Sequence, residues 1–263
     1  MIRALYNAGS GMIMQQLNMD NIANNVANIN TTGYKKTRTE FADALYSRLR
    51  GENAANRWGQ VLPQPVDVGS GTRLAATLID FSQGNFQQTG RDLDLAIEGD
   101  GFFALRLPDG RIAYTRSGAF RRDAAGRVVS AQGYLLEPPL TVPAGATELT
   151  VAPDGTVTAL LPGQGEPAVI GRITLYTFTN PAGMEKIGEN LFVPTVNSGQ
   201  ATAGFPGTQG LGKLRQGYLE MANVNLAEEM MEVITAQRAY EINSRVVRTC
   251  DEMLGMANSL LRR

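Results

Sequence analysis

Four carboxylates lie close together in this sequence, at Asp92, Asp94, Glu98 and Asp100. Clustered carboxylates can serve as a general acid and a general base, or can bind calcium through oxygen ligands at fixed spacing. The calcium-loop pattern fails here because apolar residues stand at positions that need oxygen ligands or glycine. Alternation along a strand would place Asp92, Asp94 and Glu98 on one polar face, so we interpret the cluster as a solvated strand.

Other catalytic and metal-binding patterns fail as well. The sequence has no histidine and a single cysteine, Cys250. Histidine is the commonest general base and transition-metal ligand, and one cysteine forms neither an internal disulfide nor a metal cluster. The glycine pairs at residues 69–71 and 99–101 do not continue to Gly-Lys-Ser/Thr, as a phosphate loop would. We therefore expect no catalytic residue, no metal and no cofactor. We interpret Cys250 as a buried packing residue, and a reactive thiol is the alternative.

The elements that would position any functional surface are two long helices near the ends of the chain. Apolar periodicity predicts them over residues 1–29 and 225–262, with Asn225 and Glu228 forming a capping box. Helices that share a seven-residue stripe can pair with each other or with copies of themselves. The stripe residues that we expect to carry helix packing in self-assembly are Leu5, Met12, Met19, Val26, Leu226, Val233, Tyr240, Val247 and Leu254.

A row of amides follows one face of the first helix. Asn18, Asn21, Asn25 and Asn28 recur at spacings of three and four residues. Amides against another helix can fix register and partner choice, whereas a merely solvated face would favour lysine and glutamate. We predict that Asn21, Asn25 and Asn28 fix register, and an ordinary polar face is the alternative.

The middle of the chain predicts antiparallel β structure. Short apolar segments are separated by aspartate–glycine turns at residues 108–110, 122–126 and 153–155. Residues 40–49 fit either a short helix or an extended segment, and the Asn-, Gly-, Pro- and Gln-rich residues 51–71 fit a long connection or an irregular β segment. The predicted fold class is α+β, with a coiled-coil-like pair of terminal helices and a central, mainly antiparallel β body. The predicted domains are a helical assembly domain (1–30 plus 223–263), a connecting segment (31–72) and a β-rich outer domain (73–222).

Composition limits the partners of this chain. Its 263 residues are 43% hydrophobic and 19% charged, with a net charge of -1, so neither nucleic acid nor an anionic membrane is expected to bind. The sequence lacks the run of about 18 apolar residues that a membrane span needs. Polar residues interrupt residues 1–30, so we expect no cleaved signal peptide.

Motifs at both ends and in the middle resemble those of the bacterial flagellar rod and hook proteins, a family of axial structural proteins. The residues that carry the resemblance are IANNVAN at 22–28, TGYK at 32–35, DLAIEGDGFF at 94–103, YTRSGAF at 114–120, IGENLF at 187–192, QGYLE at 216–220, NVNLAEEM at 223–230 and QRAYEIN at 237–243.

The resemblance implies a non-enzymatic subunit of a helical tube, the drive shaft of the flagellum. It implies that terminal helices of many copies pack around a channel, and that other rod proteins, the hook protein and the surrounding bushing rings are partners. It further implies a position between periplasm and outer membrane, reached by export without a cleaved signal, and no small-molecule substrate. Length and residues 46–68 favour a rod subunit, leaving another rod protein of similar size or a short hook protein as alternatives. The residues that the resemblance assigns to rod stiffening are Tyr46, Trp58, Pro63 and Val68.

Overall fold

The computed structural model describes residues 2–50, 66–146, 148–162, 167–208 and 210–261. Over these residues the chain carries helix α1 (Ile2–Ala27), a series of strands, and helix α2 (Leu226–Leu261). Helix α2 begins directly after Asn225, the residue predicted to cap it. The α+β class is confirmed, with helices near both ends and an antiparallel β body between them.

The chain divides into two compact units. Unit 1 comprises Met1–Val26, Thr37–Leu78 and Leu226–Arg263, and unit 2 comprises Ala27–Lys36 and Ile79–Asn225. Unit 1 contains both helices and two small strand pairs, so residues 40–49 are extended and not helical. The strand pairs are β1 (Thr37–Asp43) with β4 (Thr72–Ile79), and β2 (Ser47–Arg50) with β3 (Val66–Val68).

Unit 2 is built from short antiparallel strands. The strands are β5 (Phe86–Gln88), β6 (Leu95–Glu98), β7 (Phe103–Arg106), β8 (Ile112–Thr115), β9 (Arg121–Arg122), β10 (Val128–Val129), β11 (Leu135–Glu137), β12 (Glu148–Val151), β13 (Thr156–Leu160), β14 (Ala168–Arg172), β15 (Leu175–Thr177), β16 (Glu185–Gly188), β17 (Leu191–Val193), β18 (Thr202–Gly204), β19 (Lys213–Gln216) and β20 (Tyr218–Glu220). The largest sheet has the order β16-β17-β8-β7-β11-β10-β9, and a three-stranded sheet has the order β12-β13-β14. Strand β6 pairs with β19, β5 with β20, and β15 with β18.

The three predicted aspartate–glycine turns are confirmed as the links of hairpins. Asp109 connects β7 to β8, Asp123 connects β9 to β10, and Asp154 connects β12 to β13. One carboxylate oxygen of each aspartate accepts a backbone N–H two or four residues later, which closes the turn. Those backbone hydrogen bonds hold the pKa of all three carboxyls below the usual range.

Two apolar cores lie on opposite sides of residues 102–105. Phe103 and Leu105 belong to the larger core. There the Phe103 and Phe120 rings pack edge-to-face, with their centroids 5.1 Å apart. Phe102 and Ala104 belong to a smaller aromatic core. A strand that is buried on both faces needs a continuous apolar sequence, so this segment lacks the polar alternation of a half-exposed strand.

The burial of Asp94 corrects the interpretation of the acidic cluster. Asp92 and Glu98 are exposed, but Asp94 is buried and is not part of a solvated strand face. Strand β6 begins one residue later, and Asp94 forms an isolated antiparallel bridge with Ala119. Alternation therefore does not extend back to Asp94, because that residue closes the turn of residues 91–94 before the strand, where its N–H donates to the Arg91 carbonyl. Cys250, in contrast, is buried as expected.

Candidate assembly surface

Helices α1 and α2 of unit 1 contact each other as an antiparallel pair. Asn25 Nδ2 of α1 donates a hydrogen bond to Glu229 Oε2 of α2 at 3.3 Å. At the second contact the Asn243 amide of α2 lies against Gly11 of α1. The two contacts are 14 residues apart on each helix and progress in opposite directions. The pair therefore keeps one register over two heptads, about 21 Å of helix.

Two glycines of α1 have different roles in that pair. A Cβ added to Gly11 would stand 2.8 Å from Asn243 Nδ2. The absence of a side chain at Gly11 therefore allows the Asn243 amide to pack directly against the α1 backbone. A Cβ added to Gly9 would meet nothing within 4 Å. Glycine in a helix costs about 0.5–1 kcal/mol relative to alanine. The structure explains this cost at Gly11 by the close approach of α2.

The amide row of α1 holds strand β1 of the same chain. Asn21 Nδ2 and Asn25 Nδ2 each donate to the Thr37 carbonyl at 2.9 Å, and Asn25 Oδ1 accepts the Thr37 N–H at 3.0 Å. Asn18 Oδ1 accepts the Thr39 hydroxyl at 2.9 Å. Asn28, which belongs to unit 2, accepts the Thr31 hydroxyl in the turn after the helix. These bonds account for the amide face within one chain, and a role in register between copies stays a prediction.

The predicted apolar stripes lie beside the covered faces of the two helices. The most buried residues of α1 are Ala8, Ile22 and Asn25, and the most buried of α2 are Glu229, Ala236 and Cys250. The predicted stripe does not include these six positions, most of which carry small or polar side chains, although Asn25 belongs to the predicted amide row and Cys250 was expected to be buried. The stripe residues Leu5, Met12, Met19, Val26, Val233, Val247 and Leu254 are half-buried, whereas Leu226 and Tyr240 are exposed.

Each helix also carries a second apolar face, which is exposed in the single chain. On α1 this face lies nearly opposite the buried residues, and on α2 it lies about 120° around the helix from them. Ile13 is 58% exposed and Ile242 is 61% exposed. The sequence does contain this signal, as a further apolar recurrence out of phase with the predicted stripe. We name these residues the outer faces: Ile2, Tyr6, Ile13 and Leu17 on α1, and Met231, Ile242, Val246, Met253, Met256 and Leu260 on α2.

Only the two ends of the predicted stiffening segment fall within the described residues. Tyr46 is exposed, and Val68 lies opposite Ser47 where β3 pairs with β2. Trp58 and Pro63 lie outside the described residues. The exposed Leu45 precedes Tyr46, so this end of the segment presents two adjacent large apolar side chains to solvent.

A group of buried charges lies inside unit 2. Lys35, Glu220 and Arg116 are 0%, 1% and 4% exposed. Glu220 Oε1 accepts the Lys35 ammonium at 2.7 Å, and Glu220 Oε2 accepts Arg116 Nε at 3.0 Å. Burial lowers the pKa of Lys35, and the Glu220 carboxylate opposes that shift. Sequence motifs had singled out each residue separately, but nothing in their spacing indicated that the three would meet.

The described residues offer little for catalysis. An open groove of about 470 Å³ in unit 2 is lined by Arg91, Arg121 and Arg122 together with Asp92 and Glu148, and no nucleophile–base pair converges among its lining residues. Over the described part of the chain, no group of three or more histidine, cysteine, aspartate and glutamate residues is arranged to hold a metal ion. Neither described helix is long and apolar enough to cross a membrane.

Comparison with known proteins gives matches along the whole chain. Residues 5–35 match a family described as flagella basal body rod protein, residues 96–159 the flagellar hook protein FlgE/F/G D1 domain, and residues 215–260 the flagellar basal body rod FlgEFG protein C-terminal family. The flagellar basal-body rod protein FlgG of Borreliella burgdorferi is 47% identical, with 100% of both chains covered. FlgG of Caulobacter vibrioides is 44% identical over 99% of this chain and 100% of its own. FlgG of Bacillus subtilis is 39% identical over 97% of each.

Proposed function

The chain belongs to the family of flagellar basal-body rod proteins, and we propose that it forms the distal rod as a helical tube of its own copies. It is a structural subunit of the flagellar basal body that assembles with other axial proteins. The full-length similarity to rod proteins supports a rod subunit over a hook protein. In the proposed tube, the rod transmits motor torque to the hook.

The observation that carries the proposal is the pair of outer faces. Each helix uses one side within the chain and leaves a second apolar side exposed, as at Ile13 and Ile242. Covering one large apolar side chain contributes about 1.5–3 kcal/mol. Helices that are apolar on two sides suit a layered assembly, in which every helix pair has neighbours on both sides. We propose that the outer faces contact other copies, alongside the predicted stripe residues.

The partners follow from membership of the family. We propose that the tube meets proximal rod proteins at one end and the hook protein at the other, inside the bushing rings of the basal body. This position implies export of the chain into the periplasm, without a cleaved signal peptide. We further propose that the chain has no enzymatic activity, in keeping with the structural role of its relatives.

The test places a charge on each outer face without disturbing the single chain. Ile13→Asp and Ile242→Asp change exposed positions, so we expect the free energy of unfolding of the monomer to change by less than about 0.5 kcal/mol. In an assembly the same carboxylate would be buried, and we expect the critical concentration for tube formation to rise at least about 100-fold. Electron microscopy and sedimentation of the purified protein measure assembly, and urea unfolding measures the monomer.

Val196→Asp is the matched control, because Val196 is 99% exposed and belongs to unit 2, whereas the outer faces belong to unit 1. We expect this variant to assemble as the unmodified chain does. Tubes formed by Ile13→Asp and Ile242→Asp at the unmodified critical concentration would contradict the proposal.

Residues 46–68 receive a separate test of the rod assignment. We propose that this segment stiffens the rod by adding contacts between neighbouring subunits. Exchange of the segment for the corresponding hook-type sequence is then expected to give tubes that bend. Tubes that stay straight in electron micrographs would refute the stiffening role, while leaving assembly through the helices untouched.

A further inference from the structure

The chain passes between its two units four times, after Val26, Lys36, Leu78 and Asn225. In unit 2, the residues next to three of these passages are bonded to one another. The segments concerned are residues 35–36, 80–84 and 220–223, which are distant in sequence. A force transmitted along the chain through one of these three passages therefore reaches one of these segments within a few residues.

One amide side chain joins all three segments. Asn223 Oδ1 accepts the Lys36 N–H at 2.8 Å. Asn223 Nδ2 donates to the Asp80 carbonyl at 2.9 Å and to the Ser82 hydroxyl at 2.9 Å. The Asp80 N–H in turn donates to the Lys36 carbonyl at 2.9 Å, which closes a ring of bonds between the segments.

The buried charges join the same three segments a second time. Lys35 Nζ donates to Glu220 at 2.7 Å and to the Ser82 carbonyl at 2.6 Å. The Gly84 N–H donates to the same Glu220 oxygen at 3.0 Å. The Ser82 carbonyl also accepts Asn223 Nδ2 at 3.2 Å, so the amide and the charges share an acceptor.

The buried charges also anchor this network to the β body. Arg116 binds Glu220 Oε2, and its Nη1 donates to the carbonyls of Gly99 and Gly101 at 2.8 and 2.7 Å. Charge-assisted hydrogen bonds that are shielded from water are stronger than neutral, exposed ones. The three motifs that carry the family resemblance around residues 32–35, 114–120 and 216–220 each supply one of these charges.

We propose that Lys35, Arg116, Glu220 and Asn223 form a network, which we call the clasp. The clasp makes residues 35–36, 80–84 and 220–223 of unit 2 open and close together, as one cooperative joint. Load on one passage is then shared by the other two and by the β body. In a rod subunit that transmits torque, such a joint prevents a single strand from detaching from the β body under load. The clasp lies within one chain, so this proposal holds independently of how copies assemble.

Hydrogen exchange at single amides of the full-length monomer tests the joint. Asn223→Ala removes every bond of the amide, and we expect exchange at Asp80 and Gly84 to accelerate about tenfold, although neither N–H donates to Asn223. Asn223→Asp keeps an acceptor for the Lys36 N–H but loses both donors. For this variant we expect Lys36, Asp80 and Gly84 to accelerate together, although the Lys36 N–H keeps its acceptor, because a joint that opens as one exposes all three amides.

Two references make the result decisive. Asn180→Ala breaks a similar bond from an exposed amide to a carbonyl elsewhere in unit 2, and it is expected to leave Asp80 and Gly84 unchanged. The Leu105 amide, within the β body, reports global unfolding and is expected to stay constant. Acceleration confined to Lys36 in Asn223→Ala would overturn the proposal, because the segments would then open independently. Equal acceleration at Leu105 would also overturn it, because Asn223 would then act on the whole fold.

Discussion

Replacing Glu220 by glutamine separates charge compensation from simple hydrogen bonding in unit 2. In the native chain one carboxylate accepts hydrogen bonds from two cations and one backbone amide, and all three charged residues are buried. Glu220→Gln removes the negative charge and leaves two buried cations about 3 Å from a neutral amide. Breaking a buried ion pair on one side typically costs 3–5 kcal/mol, so we expect a loss of about that size.

The magnitude is large against a total stability of about 5–15 kcal/mol. With a denaturant slope of about 2–3 kcal/mol per M of urea, the unfolding midpoint is expected to fall by about 1–2 M. Urea unfolding of the full-length monomer, followed by circular dichroism, measures the shift. Arg106→Gln is the control, because it breaks a 2.8 Å ion pair with Glu137 at the surface and is expected to cost less than about 1 kcal/mol.

A double substitution tests whether charge is the cause. Lys35→Met leaves Arg116 and Glu220 as a balanced pair and is expected to cost less than Glu220→Gln. In Lys35→Met with Glu220→Gln only one buried cation remains, so the double variant is expected to be more stable than the sum of the single effects predicts, by about 1–3 kcal/mol. Additive effects, or a cost for Glu220→Gln no larger than that for Arg106→Gln, would refute the reasoning.

Three further predictions concern the helices and one lysine. Gly9→Ala is expected to stabilise the monomer by about 0.5–1 kcal/mol in urea unfolding, and Gly11→Ala by clearly less, because the new Cβ displaces Asn243; equal gains would contradict the close approach. Val247→Asp or Leu254→Asp is expected to abolish tubes in electron micrographs while near-ultraviolet circular dichroism still reports a folded β body, and intact tubes would count against the stripe. Burial lowers the pKa of Lys186 from 10.5 to about 8, so between these values the unfolded chain binds a proton that the folded chain lacks. Stability relative to Lys186→Met is therefore expected to rise from pH 8 towards pH 10, and a flat difference in unfolding midpoint would argue against the shift.

Lys186 as a whole residue is exposed to solvent, while its ammonium lies 4.9 Å from the centre of the Tyr34 ring and 3.0 Å from the Lys35 carbonyl. The surrounding solvent screens much of the effect of the pKa shift on stability. The position nevertheless places Lys186 against the segment that the clasp holds.

Local rules were enough to predict the two helices and three hairpin turns of this chain. A seven-residue recurrence predicted both helices, and Asn225 marked the start of α2 within one residue. The turns at Asp109, Asp123 and Asp154 followed from the chemistry of an aspartate that accepts a nearby backbone N–H, with a glycine that adopts positive φ. Each of these signals depends on neighbours within a few residues, so no tertiary information is needed.

The same local rules did not determine which side of each helix is covered. Periodicity selected large apolar residues such as Leu5 and Val233, whereas the most buried positions include Ala8, Ala236 and Glu229. Small residues are buried where two helices approach closely, and Glu229 is buried because Asn25 binds it across the pair. That choice depends on a partner about 200 residues away, which periodicity along a single helix does not contain.

The sequence by itself thus determined the family, the α+β class, the terminal helices and the hairpin turns, because each is specified by short-range patterns or by recognisable motifs. Only the tertiary structure decided that Asp94 is buried, that the amides of α1 bind β1, and that Lys35, Arg116 and Glu220 meet around one carboxylate. Those outcomes depend on which distant segments become neighbours. Burial and charge compensation are properties of the assembled neighbours and not of any one segment.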